Sequence, residues 1–218
     1  MVLGIYGSGG LGREVLELAR QIQAVSNKWK QIVFIDNFST EQSKNNTSIL
    51  SFSMFNDAFR ADNAEISIAV GEPMFRMNLS KEVLSAGYTL AALIHPSVKI
   101  PESTVVKSGA TVCSNAFISC NVVLGANTHV QPHVQISHDC VVGDHAVITP
   151  SANLAGNVTV GEGSYIGMGA IVKERVSIGS WAIIGMGSLV YHDVADEVVA
   201  IGNPARVIKK NIERRVFK

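Results

Sequence analysis

Every sixth residue from Ile94 to Val190 is Ile, Leu or Val, seventeen positions in unbroken register with no insertion or deletion between them. Nothing else in the chain restricts its fold so tightly. An amphipathic helix repeats about every 3.6 residues and a half-buried strand about every 2, so a strict period of six fits neither. A second register stands two residues ahead of the first, from Val98 to Ser188. It holds only small or β-branched residues, among them Thr104, Ala110, Ala116, Cys140, Ala152, Ser164 and Ala182. A local period of two inside a period of six means short strands joined by regular corners. This predicts a β-helix of hexapeptide repeats. Three hexapeptides close one triangular coil, so residues eighteen apart stack at about 4.8 Å, the spacing of neighbouring strands. Gly125, Gly143, Gly161, Gly167, Gly179 and Gly185 each follow a large apolar residue, where a corner begins and a missing Cβ is useful.

The stretch before the repeat reads differently. Val2 to Tyr6 is a buried strand, followed by Gly7-Ser8-Gly9-Gly10-Leu11-Gly12. An amphipathic segment then places Val15, Leu18, Ala19 and Ile22 on one face, and a second strand, Ile32 to Ile35, ends at Asp36. Gly7, Gly9 and Gly12 fit the G-x-G-x-x-G pattern in its strand–turn–helix setting. Such glycines let a phosphate approach backbone N–H groups at a helix start. Asp36 follows Gly12 by 24 residues, where a ribose-binding acid is expected. The polar stretch from Asn37 to Glu65 holds one short helix, marked by Phe55 and Phe59. Ile66 to Val70 is a third strand, Met74 to Ala86 a longer helix, and Tyr88 to Ile94 a fourth strand. The expected organisation is a truncated Rossmann-like α/β domain over residues 1–93, then a parallel β-helix with a C-terminal tail over residues 94–218. A dinucleotide fold needs a second half for which there is no room. The first domain therefore points to a mononucleotide or nucleotide-sugar rather than NAD.

Composition excludes several classes. Lys and Arg number 18 against 18 Asp and Glu, so no nucleic-acid partner or anionic membrane surface is called for. No apolar run is long enough for membrane insertion. The N-terminus has no basic segment leading into an apolar core, so no signal peptide is expected and a cytoplasmic location follows. Cys113, Cys120 and Cys140 lack metal or redox spacing and read as reduced thiols, Cys140 in an inward slot. After Val190 the six-residue register stops. The basic end, Arg206, Lys209, Lys210, Arg214, Arg215 and Lys218 against Glu213, reads as a solvated tail or a phosphate contact.

Among the histidines His138 stands out. It lies two residues past Ile136, at a corner, so it projects from the prism. Gly156 stacks eighteen residues later and Cys120 eighteen earlier. An imidazole can take a proton from a nucleophile, and an unencumbered backbone N–H can hold a carbonyl oxygen as it gains charge. Asp139 can hold the other ring nitrogen. Spacing alone leaves two readings open, a general base or a surface histidine at a corner.

Four segments decide between them by resemblance: Gly7-Ser8-Gly9-Gly10-Leu11-Gly12-Arg13-Glu14, Ser137-His138-Asp139-Cys140-Val141-Val142-Gly143-Asp144, Leu154-Ala155-Gly156-Asn157-Val158-Thr159-Val160-Gly161 and Gly202-Asn203-Pro204-Ala205-Arg206. Together they resemble the hexapeptide sugar O- and N-acyltransferases with a left-handed β-helix. That family includes sialic acid O-acetyltransferases and UDP-4-amino-sugar N-acetyltransferases of bacterial glycan synthesis. The resemblance covers nearly the whole chain. It implies a homotrimer, acetyl-CoA as donor, and a nucleotide-sugar acceptor held by the N-terminal domain. By the same resemblance His138 matches the general base and Asp139 the acid that raises its basicity. Gly156 matches the glycine whose N–H meets the thioester carbonyl, and Met168 and Met186 match positions lining the CoA groove. Gly9, Gly10, Leu11, Asp36, Asn37 and Gly71 match nucleotide-binding positions. Two departures concern the substrates. Leu11 replaces a histidine common at that position, and Val147 replaces a second histidine near CoA, for which His145 is no obvious substitute.

The reading that results is direct acetyl transfer from acetyl-CoA to the amine of a UDP-linked amino-sugar. A sugar hydroxyl is the alternative acceptor. An acylated Cys120 is the alternative to direct attack. Two readings from other classes remain. A non-catalytic nucleotide-binding scaffold is one. The other is a metal lyase of the γ-carbonic-anhydrase type, for which His133 and His138 have suggestive spacing. The stacked positions that would supply a third ligand hold Ser97, Glu102, Asn115, Cys120 and Ser151 instead, so no metal is expected. Outward apolar residues such as Val123, Val141 and Ile183 point to an interface between subunits.

Overall fold

A computed structural model of the chain describes residues 1–217; Lys218, counted above in the basic end, lies outside the described residues. The six-residue register becomes a left-handed parallel β-helix. Large apolar residues from Val112 to Val190 point inward and form one continuous buried core, with Ile94, Ile100 and Val106 packed at its open end. Each strand has two residues and pairs in parallel with the strand eighteen residues on. One wall stacks Phe117, Gln135, Asn153, Ile171 and Leu189. The second stacks Val105, Val123, Val141, Thr159 and Ser177. The third stacks Thr111, His129, Val147, Tyr165 and Ile183. The hydroxyls of the small register tie neighbouring coils. Ser164 Oγ donates to Gly179 O at 2.6 Å and accepts from Ala182 N at 3.2 Å.

The corners follow a third register, three residues past each large apolar one. Asn115, Asn121, Asn127, His133, Asp139, His145, Ser151 and Asn157 all adopt φ between 54° and 62° there. Asn and Asp tolerate this left-handed conformation better than most residues. The six glycines that follow the apolar residues serve a different end. None has positive φ. A Cβ on Gly143 would lie 2.6 Å from Glu162 N in the adjacent coil, so glycine there permits close stacking of coils.

Beyond Val190 the prism continues, where the register predicted an end. Val194 bridges to Ile178, and the strand Val198–Gly202 lies beside Ile183–Ile184. The offset is now sixteen, because the coil has lost two residues at one corner. Asp193 in that shortened corner accepts from Ser177 N at 2.8 Å, and Asp196 in the next corner accepts from Ser180 N at 2.6 Å. The strand Ala205–Lys210 then returns antiparallel. The basic end is not a free tail. Arg214 pairs with Glu197 at 2.6 Å and stands 5.1 Å over the Trp181 ring, and Val216 N and Phe217 N donate to Glu72 at 3.0 Å.

The N-terminal domain comprises β1 (Val2–Tyr6), α1 (Gly10–Ser26), β2 (Gln31–Ile35), β3 (Ser43–Lys44), β4 (Thr47–Leu50), α2 (Phe52–Ala58), β5 (Ala64–Ile68), α3 (Pro73–Ser85) and β6 (Thr89–Leu90). Its sheet runs β3-β4-β2-β1-β5-β6, parallel except for the β3–β4 hairpin. That hairpin lies in the stretch expected to hold only one short helix. Asn45 and Asn46 turn it, at φ 48° and 58°, the conformation a two-residue hairpin loop needs. The single strand expected over Tyr88–Ile94 divides. β6 joins β5, while β7 (Leu93–Ile94) already pairs with Thr111–Val112 in the third wall.

The third wall carries the N-terminal domain. Thr111, His129 and Val147 are wholly buried there, whereas Val105, Val141, Phe117 and Ile171 on the other walls are exposed. Arg76 of α3 pins the two parts. Its guanidinium is wholly buried and donates to Asn127 O and Oδ1 in the prism, to Ile68 O at the end of β5 and to Val70 O just beyond it. Burial without a carboxylate partner lowers its pKa to about 9. Burial, with the Arg76 charge nearby, also lowers His129 to about 3, so that ring is held neutral.

Candidate active site

Ile136 faces inward and Asp139 takes the left-handed corner, which throws His138 outward between them. Asp139 Oδ2 lies 2.7 Å from His138 Nδ1. With Nδ1–H donating to that carboxylate, Nε2 presents its lone pair to solvent. The ring lies over the next coil. A Cβ on Gly156 would stand 2.6 Å from His138 Cε1 and 2.7 Å from Nε2, so only glycine leaves the imidazole where it is. The spacing argument thus brings His138, Asp139 and Gly156 to one edge. Cys120 is exposed one coil below, with Ser119 Oγ 3.9 Å from its sulfur.

One neighbour was missed. Asn121 Nδ2 donates to Asp139 Oδ1 at 3.0 Å, on the oxygen that His138 does not use. The hydrogen bond from His138 and then that from Asn121 hold the Asp139 carboxyl below its ordinary value. Asn121 stands eighteen residues before Asp139 in the same corner register, so the lattice that found Gly156 could have found it.

Met168 and Met186 are both exposed and stack one coil apart, with Gly187 N donating to Met168 O at 2.8 Å. They do not share an edge with His138. Their edge precedes the wall containing Ile171 and the His138 edge follows it, so one wall separates them within the chain. His133 occupies that preceding edge too, which places it apart from His138. Among the described residues no three His, Cys, Asp or Glu side chains gather to hold a metal ion. Val147, at one of the two departures, is wholly buried, and His145 Nδ1 is 3.1 Å from Asn127 Nδ2.

The second constellation sits at the carboxyl edge of the N-terminal sheet. The chain crosses from β4 to β5 on the far side of β1, which opens a crevice between the ends of β1 and β5. Gly9, Gly10 and Leu11 begin α1 there, and Gly71 follows β5; a Cβ on Gly71 would lie 3.9 Å from Leu11 Cδ2. A Cβ on Gly9 or Gly10 would meet nothing within 4 Å, so the fold itself does not require glycine at either position. Gly12 differs, because its Cβ would collide with Gly7 O, and so it serves packing. α1 has no side-chain cap, and its first N–H groups face the crevice edge. Asp36 and Asn37 follow β2 and line a cleft of about 600 Å³ with Tyr6, Phe38, Phe75 and Glu82. Burial opposes ionisation of Asp36, but hydrogen bonds from Ser8, Phe38 and Ser39 outweigh it and leave its carboxyl below the ordinary value. The C-terminal strap borders the same region: Phe217 comes within 3.6 Å of a Cβ built on Gly71, and its ring meets Tyr165 edge-on at 5.7 Å.

Residues 2–83 match the family described as PglD N-terminal domain. Residues 121–156 and 157–192 match bacterial transferase hexapeptide (six repeats). A GDP-perosamine N-acetyltransferase from Escherichia coli O157:H7 is 31% identical over 137 residues, 62% of each chain, so the match spans less than two thirds of that relative. The acetyltransferase domain of PglB from Neisseria gonorrhoeae, solved with acetyl coenzyme A, superposes with a TM-score of 0.89 at 29% identity, covering 95% of this chain and 98% of that one. PerB from Caulobacter crescentus, solved with CoA and GDP-perosamine, gives 0.86 at 26% identity, covering 95% and 97%. WeeI from Acinetobacter baumannii gives 0.89 at 30% identity, covering 95% and 100%. No helix among the described residues is long and apolar enough to cross a membrane.

Proposed function

Because the chain belongs to the hexapeptide-repeat sugar acyltransferases, we propose that it transfers the acetyl group of acetyl-CoA to the amine of a nucleotide-linked amino-sugar. The observation that carries this reading is the His138 ring, bonded to Asp139 through Nδ1 and seated against the bare backbone of Gly156. The amine lone pair attacks the thioester carbonyl carbon, and the carbonyl π pair moves onto oxygen. The Gly156 N–H steadies that oxyanion. His138 Nε2 accepts the proton the nitrogen gives up, and Asp139 balances the imidazolium. Collapse of the adduct re-forms the carbonyl and breaks the C–S bond. The CoA thiolate leaves and takes the proton from His138, so the base is restored and no residue is acylated. His138 and Asp139 are the catalytic pair, and Gly156 with Met168 and Met186 supports acetyl-CoA.

Gly9, Gly10, Leu11 and Gly71 are assigned to the acceptor's diphosphate, and Asp36 and Asn37 to the wall beside its nucleoside. The sequence resemblance suggests a uridine nucleotide. The relatives named for GDP-perosamine support a guanosine nucleotide. The same names favour an amine over a hydroxyl as acceptor. A homotrimer is proposed because one wall divides the Met168 edge from the His138 edge, and a neighbouring copy can bring the two together. Three free thiols and acetyl-CoA as donor support a cytoplasmic location.

The test is thiol release from acetyl-CoA against a panel of UDP- and GDP-linked amino-sugars and their hydroxyl counterparts. Release with one or more amino-sugars and none with the hydroxyl counterparts is expected. Nucleotide-sugar binding with no thiol release anywhere in the panel would favour a non-catalytic scaffold.

A further inference from the structure

The polar groups of the N-terminal cleft differ in how much hydrogen-bonding capacity they have left. Asp36 Oδ2 accepts from Ser8 N and Oγ, and its Oδ1 from Phe38 N and Ser39 N. Asn37 donates to Tyr6 Oη at 3.0 Å and accepts from Phe52 N at 2.8 Å. Tyr6 in turn donates to Glu82 Oε2 at 3.0 Å. Glu82 Oε1 accepts no hydrogen bond among the described residues. The cleft therefore offers a ligand one open carboxylate edge at Glu82 and, among the described residues, one unbonded side-chain amide at Asn78; a carboxylate only accepts, whereas an amide can also donate.

Two aromatic rings stand at the same cleft without cover. Phe38 is 95% exposed and Phe75 49%, and both line it. Apolar surface left open beside a concave site marks a place that a ligand covers, and an aromatic face stacks on any nucleobase. The acidic edge and both rings line this cleft, while the free N–H groups of α1 suit a diphosphate. The nucleobase thus goes to Glu82.

Bases differ in what they show a carboxylate. Guanine presents two adjacent donors, N1–H and the 2-amino group, which match Glu82 Oε1 and the lone pair of Oε2 that Tyr6 does not use. Uracil presents one N–H between two carbonyl oxygens that the carboxylate repels. Adenine and cytosine each set one amino group beside a ring acceptor. On this ground, and resting on the acceptor-site reading above, we propose that the acceptor is a guanosine diphosphate sugar, with Glu82 as the residue that selects guanine and Phe38 as the ring that covers it.

Calorimetry on the full chain with GDP, UDP and IDP tests this. A bidentate contact discriminates a base by about 10- to 100-fold. GDP is expected to bind tighter than UDP by that factor, with IDP, which lacks the 2-amino group, in between. Glu82 is exposed and Gln can still accept from Tyr6, so Glu82→Gln should fold; it should remove most of the GDP advantage and leave UDP affinity unchanged or improved. Phe38→Ala should weaken both nucleotides. UDP binding as tightly as GDP, or a GDP-to-UDP ratio unmoved by Glu82→Gln, would overturn the guanine assignment while leaving the acceptor site standing. Binding of none of the three would sink both.

Discussion

At the scale of single residues, the proposed chemistry depends on side chains that the corner geometry sets in line. Ser103 Oγ accepts from Asn121 N at 3.1 Å, Asn121 holds Asp139, Asp139 holds His138, and His138 lies on Gly156. Each step climbs one coil or turns one corner. Asn121 does not reach a reacting atom, so it is a positioning residue for Asp139. Asn121→Gly keeps the left-handed corner and removes only the carboxamide. A hydrogen bond lost at this exposed corner predicts a fall in kcat of roughly 2- to 10-fold. In an Asp139→Asn background the same substitution should change almost nothing, because the group it positions no longer carries charge. An equal loss in both backgrounds would assign Asn121 a purely structural role. His138, Asp139 and Gly156 were legible from spacing and resemblance together. Asn121 was equally available to the eighteen-residue arithmetic. Glu82 and Phe38 were not, because a helix residue and a loop residue about forty apart in sequence meet only across the folded cleft.

At the scale of elements, legibility follows periodicity. The β-helix walls could be read from sequence because each hexapeptide repeats the same two inward positions, and the pairing obeys that register. The last coil escaped because two missing residues shift Val194 and Ala200 off the six-residue count, although both still face the core. The β3–β4 hairpin escaped because its strands are short and polar, and its only signal is the Asn45-Asn46 pair. The strand expected over Tyr88–Ile94 divides because the chain changes partners at Ala91, whose N–H donates to Ile66 O, while Leu93 N donates to Ala110 O. Composition shows no such change. The basic end was read from its charge as a solvated tail or a phosphate contact. Its packing depends on Glu72, Trp181 and Tyr165, which are distant in sequence.

At the scale of the whole molecule, one chain holds the parts of the proposed site without joining them. His138 and Gly156 stand on one edge, Met168 and Met186 on another, and the acceptor cleft belongs to a domain seated on the third wall. The two remaining walls expose Val105, Val141, Phe117 and Ile171. Exposed apolar faces on a regular prism suit a closed ring of copies. Multi-angle light scattering at micromolar concentration should return a mass near three chains, and a monomer would contradict the assembly. The central claim is direct transfer with His138 as base, and the turnover of His138→Ala tests it most directly. Thiol release with the best acceptor of the panel should fall by about 10²- to 10⁴-fold. Acceptor affinity measured by calorimetry should hold, and intact mass should show no acetyl group on the wild-type enzyme. A His138→Ala enzyme that turns over normally, or an acetyl group trapped on Cys120, would contradict direct transfer.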